Sequence, residues 1–181
     1  VRYVGIAAYS GPVPEHLVSA AEEFLEILGI CYGVEDVAIV VGGYWGLMKY
    51  VVDHAIELGF KVIILPPLEM EDVRFPHDAL VIRSGTSFRV RSVFLVRTSE
   101  VLVALGGAAG TMQEIVTAYT EGIPIYVLHN VGMPTDNVIK LGEYLDERKR
   151  ARIHYIDNPK SLAEEICKFL KRTPPRGYAE V

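Results

Sequence analysis

A chain of 181 residues is the length of one α/β domain and can bury a substantial core. Half of its residues are hydrophobic and 23% are charged, which excludes a disordered or fibrous chain. The formal net charge of −5 argues against a nucleic-acid grip built on a basic face. It leaves room for a small anionic ligand, because backbone amides can hold phosphate without side-chain charge.

In chain order, short apolar runs rich in Val and Ile recur at Tyr3–Ala8, Val37–Val41, Lys61–Leu65, Ala79–Ile82, Val101–Leu105, Pro124–Leu128 and Ile153–Ile156. Most lack in-out alternation, as buried parallel strands do. Segments with helical spacing lie between them: Leu17, Ala21, Phe24 and Leu28; then Leu47, Val51, Ala55 and Leu58; finally Leu162, Ile166 and Phe169. This alternation predicts a mainly parallel sheet of about seven strands with helices on both faces, in one domain over residues 1–172. Pro66–Pro76 reads as a loop. The tail, residues 173–181, opens with Thr173-Pro174-Pro175-Arg176-Gly177, which cannot continue a helix and is expected to be mobile or docked on a partner subunit. The charged stretch Glu143–Arg152 reads as a solvated helix face.

Cys31 and Cys167 have no partner at metal-ligand spacing, and each reads as a buried, inert thiol. The five histidines are scattered, so no metal site is expected. No apolar run reaches the ~20 residues of a membrane helix, and the N-terminus reads as a strand rather than a signal peptide. The expectation is a soluble cytoplasmic protein.

In open α/β sheets ligands bind beyond the carboxyl ends of the strands. Two such junctions are glycine-rich. Gly42-Gly43-Tyr44-Trp45-Gly46-Leu47-Met48 follows the second run, and Gly106-Gly107-Ala108-Ala109-Gly110-Thr111-Met112-Gln113-Glu114 follows the fifth. Each leads into an amphipathic helix, whose first N–H groups and positive dipole end suit an anion. Neither is a dinucleotide fingerprint, since Ala8-Tyr9-Ser10-Gly11-Pro12 follows the first strand, and the P-loop pattern is absent. Ser10 and Gly11 are further ligand candidates, and an ordinary turn explains them equally well. Tyr44 or Trp45 could stack on a base, although packing against a helix is the simpler reading. His129 could line a pocket.

Gly42-Gly43-x-x-Gly46-Leu47-Met48, Arg91 and Gly107-x-x-Gly110-Thr111-x-x-Glu114 together resemble the LOG-like family, long mislabelled lysine decarboxylase-like, over roughly Val4 to Leu128. The resemblance implies a Rossmann-like three-layer α/β/α sandwich and a homodimer or higher homo-oligomer. The family's characterised enzymes release the base from a cytokinin riboside 5′-monophosphate. Arg91 and Glu114 fall on the family's functional arginine and glutamate. Gly110 and Thr111 fall on its phosphate-holding Gly-Thr. The phosphate or nucleotide site is therefore expected at Gly42, Gly43 and Gly46 and at Gly107, Ala108, Ala109, Gly110 and Thr111. Nothing implies pyridoxal phosphate or another cofactor, so lysine decarboxylation is rejected. Val41, Lys49, Ser92, Gly106 and Ala108 depart from the family's motifs. These departures bring the chain closer to a branch related to DprA-type nucleotide-binding domains that includes molybdenum-cofactor carrier proteins. The implied activity is hydrolysis of a nucleoside 5′-monophosphate to base and ribose 5-phosphate. The alternative is a carrier or sensor of a nucleotide-like ligand such as molybdenum cofactor. An interaction-only domain is the third class.

Overall fold

A computed structural model describes residues 1–176. The strands are β1 (Arg2–Ala7), β2 (Val37–Val41), β3 (Lys61–Ile64), β4 (Ala79–Val81), β5 (Val101–Ala104), β6 (Ile125–Leu128) and β7 (Ile153–Ile156). The α-helices are α1 (Glu15–Tyr32), α2 (Gly46–Leu58), α3 (Phe88–Thr98), α4 (Ala109–Glu121) and α5 (Pro159–Arg172). All seven strands pair in parallel, in the order β4-β3-β2-β1-β5-β6-β7.

Burial on both faces explains the unbroken apolar runs. Val37, Ile39 and Val41 of β2 enter one core layer while Ala38 and Val40 enter the other. The first layer packs against α1, α2 and α5, and the second against α3 and α4. Phe24, Leu25 and Leu28 of α1 are fully buried, each contributing roughly 1.5–3 kcal/mol of transfer free energy. Helix ends follow local chemistry. Pro14 precedes α1, and the side chain of Asn158 caps α5 by accepting from Ser161 N at 2.8 Å. Gly59 and Gly122 close α2 and α4 in the left-handed region.

Three expectations change. Glu143–Arg152 forms no helix; it is an irregular segment tied by Arg152–Glu143 and Arg148–Asp146 ion pairs, and Asp146 also accepts from the buried Tyr119. Residues 173–176 lie on their own domain. Buried Arg2 pairs with Glu100 at 2.6 Å and donates to the Leu170 and Thr173 carbonyls, while Arg176 N donates to Glu100. Residues 177–181 lie outside the described residues.

Lastly, Cys31 and Cys167 are joined as a disulfide, not left as two thiols. Packing of α1 against α5 brings together Cα atoms 6.3 Å apart that are separated by 136 residues in sequence, a pairing that local spacing does not reveal. Closing so long a loop restricts the unfolded chain by up to about 5 kcal/mol in the chain-entropy model. Reductant is therefore expected to lower the urea midpoint by a corresponding amount, and the intact mass to rise by two hydrogens. An unchanged midpoint would show that the bond adds no net stability.

Candidate functional site

Strand order reverses beside β1: the chain builds β2, β3 and β4 on one side and then returns to place β5 on the other. Above that switch point a crevice opens between the β1 and β5 junctions. A cleft of about 480 Å³ occupies it. Ala8, Tyr9 and Ser10 enter from β1, Trp45 and Met48 from the start of α2, and Phe88, Arg89, Arg91 and Ser92 from α3. The start of α4 supplies Ala108, Ala109, Gly110, Thr111, Gln113 and Glu114.

At its floor Arg91 Nη1 donates to Glu114 Oε1 at 2.9 Å, and each residue is only 6% exposed. Ser92 Oγ lies 3.0 Å from the same oxygen and 3.2 Å from the Phe88 carbonyl. A hydroxyl has one hydrogen for these two acceptors. With Glu114 ionised it serves one of them. With Glu114 protonated on Oε1, the acid can donate to Ser92 while Ser92 donates to Phe88. The geometry thus accommodates both protonation states. Burial pushes the Glu114 carboxyl above its ordinary range, against the lowering effects of the Arg91 charge and the Ser92 contact. Arg91 Nε is buried without a partner among the described residues.

The two glycine turns do different jobs. A side chain on Gly42 would run into the Arg91 guanidinium, so its missing Cβ makes room for the ion pair. Gly43 lies beneath the Trp45 ring. Gly46 has φ +54°, and any Cβ there would meet the Tyr9 and Ser10 backbone while Leu47 N donates to Tyr9 O at 2.7 Å. Gly11 lies against the Tyr9 ring. None of these four glycines is among the residues that line the cleft.

In the second turn Gly107 is also absent from the lining. Its N–H donates to Thr135 Oγ1 at 3.1 Å, and its carbonyl accepts from Thr135 N at 3.1 Å. That amide is spent on holding the turn. The first N–H groups of α4, from Ala109 onward, lack intrahelical acceptors, and no side chain caps them.

Other sequence candidates separate. Tyr44 turns away, donating to Asp53 at 2.6 Å beneath Lys49, whereas Trp45 lines the cleft beside Phe88. His129 is not among the lining residues and sits near Tyr155 and Asp136. Of the nearby arginines, Arg89 reaches the cleft, while Arg97 pairs with Glu121 and Arg83 with the Glu71 carbonyl. Sequence reasoning gave no role to Ser92, Phe88, Met48 or Thr135. Thr135 carried no local signal, since it reaches Gly107 from 28 residues downstream. Among the described residues no group of three or more His, Cys, Asp or Glu could hold a metal ion, and no helix is long and apolar enough to cross a membrane.

The sequence profile of the SLOG cluster4 family matches residues 3–163. The chain belongs to that family. This SLOG protein is similar to the X-ray structure of TM1055, a Northeast Structural Genomics Consortium target, with 28% identity, a TM-score of 0.79, and coverage of 96% of this chain and 100% of that one. It is also similar to the molybdenum cofactor binding protein of the phototrophic bacterium Rippkaea orientalis (16% identity, TM-score 0.74, 93% and 97% covered). A third likeness is to the molybdenum cofactor carrier protein of Chlamydomonas reinhardtii (20%, 0.68, 95% and 99%). At these identities the latter two show the shared fold. No curated protein sequence matches the chain. The LOG-like resemblance and the Rossmann-like fold therefore stand.

Because the folded Glu114 pKa is raised, its protonated form favours the folded state. That contribution is complete below the ordinary glutamate pKa and is lost as pH rises through the raised value. The stability of the wild type is therefore expected to fall, relative to Glu114→Gln, between acid and neutral pH. Urea titrations of both proteins across that window measure it, and parallel profiles would contradict the raised pKa.

Proposed function

We propose that this SLOG protein binds the phosphate of a nucleotide-like ligand at the α4 N-terminus and hydrolyses the N-glycosidic bond of a nucleoside 5′-monophosphate. The observation that carries the reading is a buried carboxylate, its pKa pushed up by burial, one turn into a helix whose first residues line the cleft and are capped by no side chain. Thr111 and Glu114, three residues apart, both line that cleft. A phosphate at Ala109–Thr111 would leave the ribose beside Glu114.

Ionised Glu114 would take a proton from water as its oxygen bonds to the sugar C1′. The C1′–N bond breaks, and its electron pair leaves with the base, which then takes up a proton. Arg91 would hold the carboxylate in place. Clamping the phosphate fixes the reacting geometry.

Adenosine, guanosine and cytidine 5′-monophosphates incubated with the protein should yield free base and ribose 5-phosphate, separated by chromatography. Glu114→Gln should lower release by at least about 10²-fold, the usual size of a lost acid–base group. Since the ionised form acts, release should rise with pH through a midpoint above the ordinary glutamate range. No release from any substrate, with binding intact, would overturn the hydrolase and favour a carrier. The carrier reading draws specific support from the fold shared with molybdenum cofactor binding and carrier proteins.

The homo-oligomer belongs to the same reading. Val90 and Phe94 on α3 and Val116 on α4 are large apolar side chains left exposed. Light scattering should give a multiple of the 20.1 kDa chain mass, and a monomer would remove this part of the reading.

A further inference from the structure

The loop after β6 reaches the second glycine turn from outside the cleft. Thr135, in the short helical segment Pro134–Leu141, is 1% exposed and is not among the residues that line the cleft. Its hydroxyl oxygen accepts from Gly107 N at 3.1 Å, and its own N–H donates to the Gly107 carbonyl at 3.1 Å. The two bonds engage different peptide groups, the N–H between Gly106 and Gly107 and the C=O between Gly107 and Ala108. One buried residue thus holds the chain on both sides of Gly107.

That grip has a freedom to oppose. Gly106 and Gly107 are consecutive glycines, and Gly106 has φ +105°. A peptide between two residues without Cβ atoms can rotate at little steric cost. What the turn carries depends on its orientation. A Cβ on Gly107 would fall on the Thr111 hydroxyl, so the bare backbone of Gly107 is the seat of the Thr111 side chain. Thr111 lines the cleft from the first turn of α4. The loop that delivers Thr135 is itself tied down. Asp136 accepts from Val131 N at 3.2 Å and from Gly132 N at 2.8 Å, and His16 Nε2 of α1 meets the Val131 carbonyl at 2.7 Å. The side chains of Val131, Leu17 and Met133 lie over Gly106.

We propose that Thr135 is a positioning residue for the phosphate subsite: by clamping Gly107 it aims the Thr111 hydroxyl and the first amides of α4 into the cleft, without touching the ligand itself. This role rests on the phosphate reading above. Thr135→Val keeps the side-chain shape and removes the hydroxyl. The Gly107 N–H is then buried without an acceptor, and the peptide before it turns to find one. Thr135→Ser keeps the hydroxyl and the grip.

Ribose 5-phosphate and inorganic phosphate would be titrated by calorimetry into the wild type, Thr135→Val and Thr135→Ser, with urea titrations to show that each is folded. Amide hydrogen exchange at Gly107 would run alongside. Thr135→Val should weaken ribose 5-phosphate binding about tenfold or more, the scale on which a misplaced group weakens a site. It should also speed exchange at Gly107, and Thr135→Ser should restore both. A purely structural role lowers the urea midpoint and leaves affinity unchanged. That result, or a loss that Thr135→Ser does not restore, would overturn the positioning role and leave phosphate binding standing. Should Thr135→Val not fold, Asp136→Ala decides. Asp136 is not among the cleft-lining residues, and freeing its loop should weaken ribose 5-phosphate binding in the same direction. Unchanged affinity there would overturn the role. A wild type that binds neither probe would overturn the phosphate reading and the role together.

Discussion

The cleft depends on one buried ion pair, Arg91 with Glu114. Two charges taken out of water cost several kcal/mol each, and their attraction offsets this only where geometry and further hydrogen bonds are good. Here the carboxylate oxygen meets both Nη1 and Ser92, while Arg91 Nε stays unmatched. The pair is thus only partly satisfied within the chain.

At the opposite, amino ends of the strands, Arg2 and Glu100 form a second buried pair. Its hydrogen bonds run to the Leu170 and Thr173 carbonyls and from the Tyr3 and Arg176 amides. This network fastens β1, the residue that precedes β5 and the end of α5 together. With the Cys31–Cys167 link between α1 and α5, it makes the base of the domain a closed structure. At the carboxyl end, by contrast, Arg91 Nε has no partner among the described residues.

Sheet topology explains why two glycine turns are needed. β2 and β5 flank β1, and the elements after them approach the crevice from opposite sides of the sheet. The turn after β2 admits Arg91 over Gly42 and seats Trp45 on Gly43. The turn after β5 is pinned through Gly107 by Thr135, so the uncapped amides begin farther along, in α4. The result is a cleft with an ionic floor, an amide edge and an aromatic wall.

Much of this was written in the sequence. Unbroken Val/Ile runs determined the strands, because a residue in a doubly covered strand is apolar whichever way it points. Two Gly-rich strand-to-helix junctions, with Arg91 and Glu114, marked the family and the end of the sheet where the cleft opens. Tertiary structure alone decided which turn offers amides, which of Tyr44 and Trp45 enters the cleft, and that Ser92 and Thr135 serve it. It also joined Cys31 to Cys167, and it left Glu143–Arg152 without the helix its charges suggested. The physical reason is the same in each case. Periodicity records how a segment faces its own layer. Contacts between segments 22, 28 or 136 residues apart are set by how the layers pack, and no local pattern encodes them.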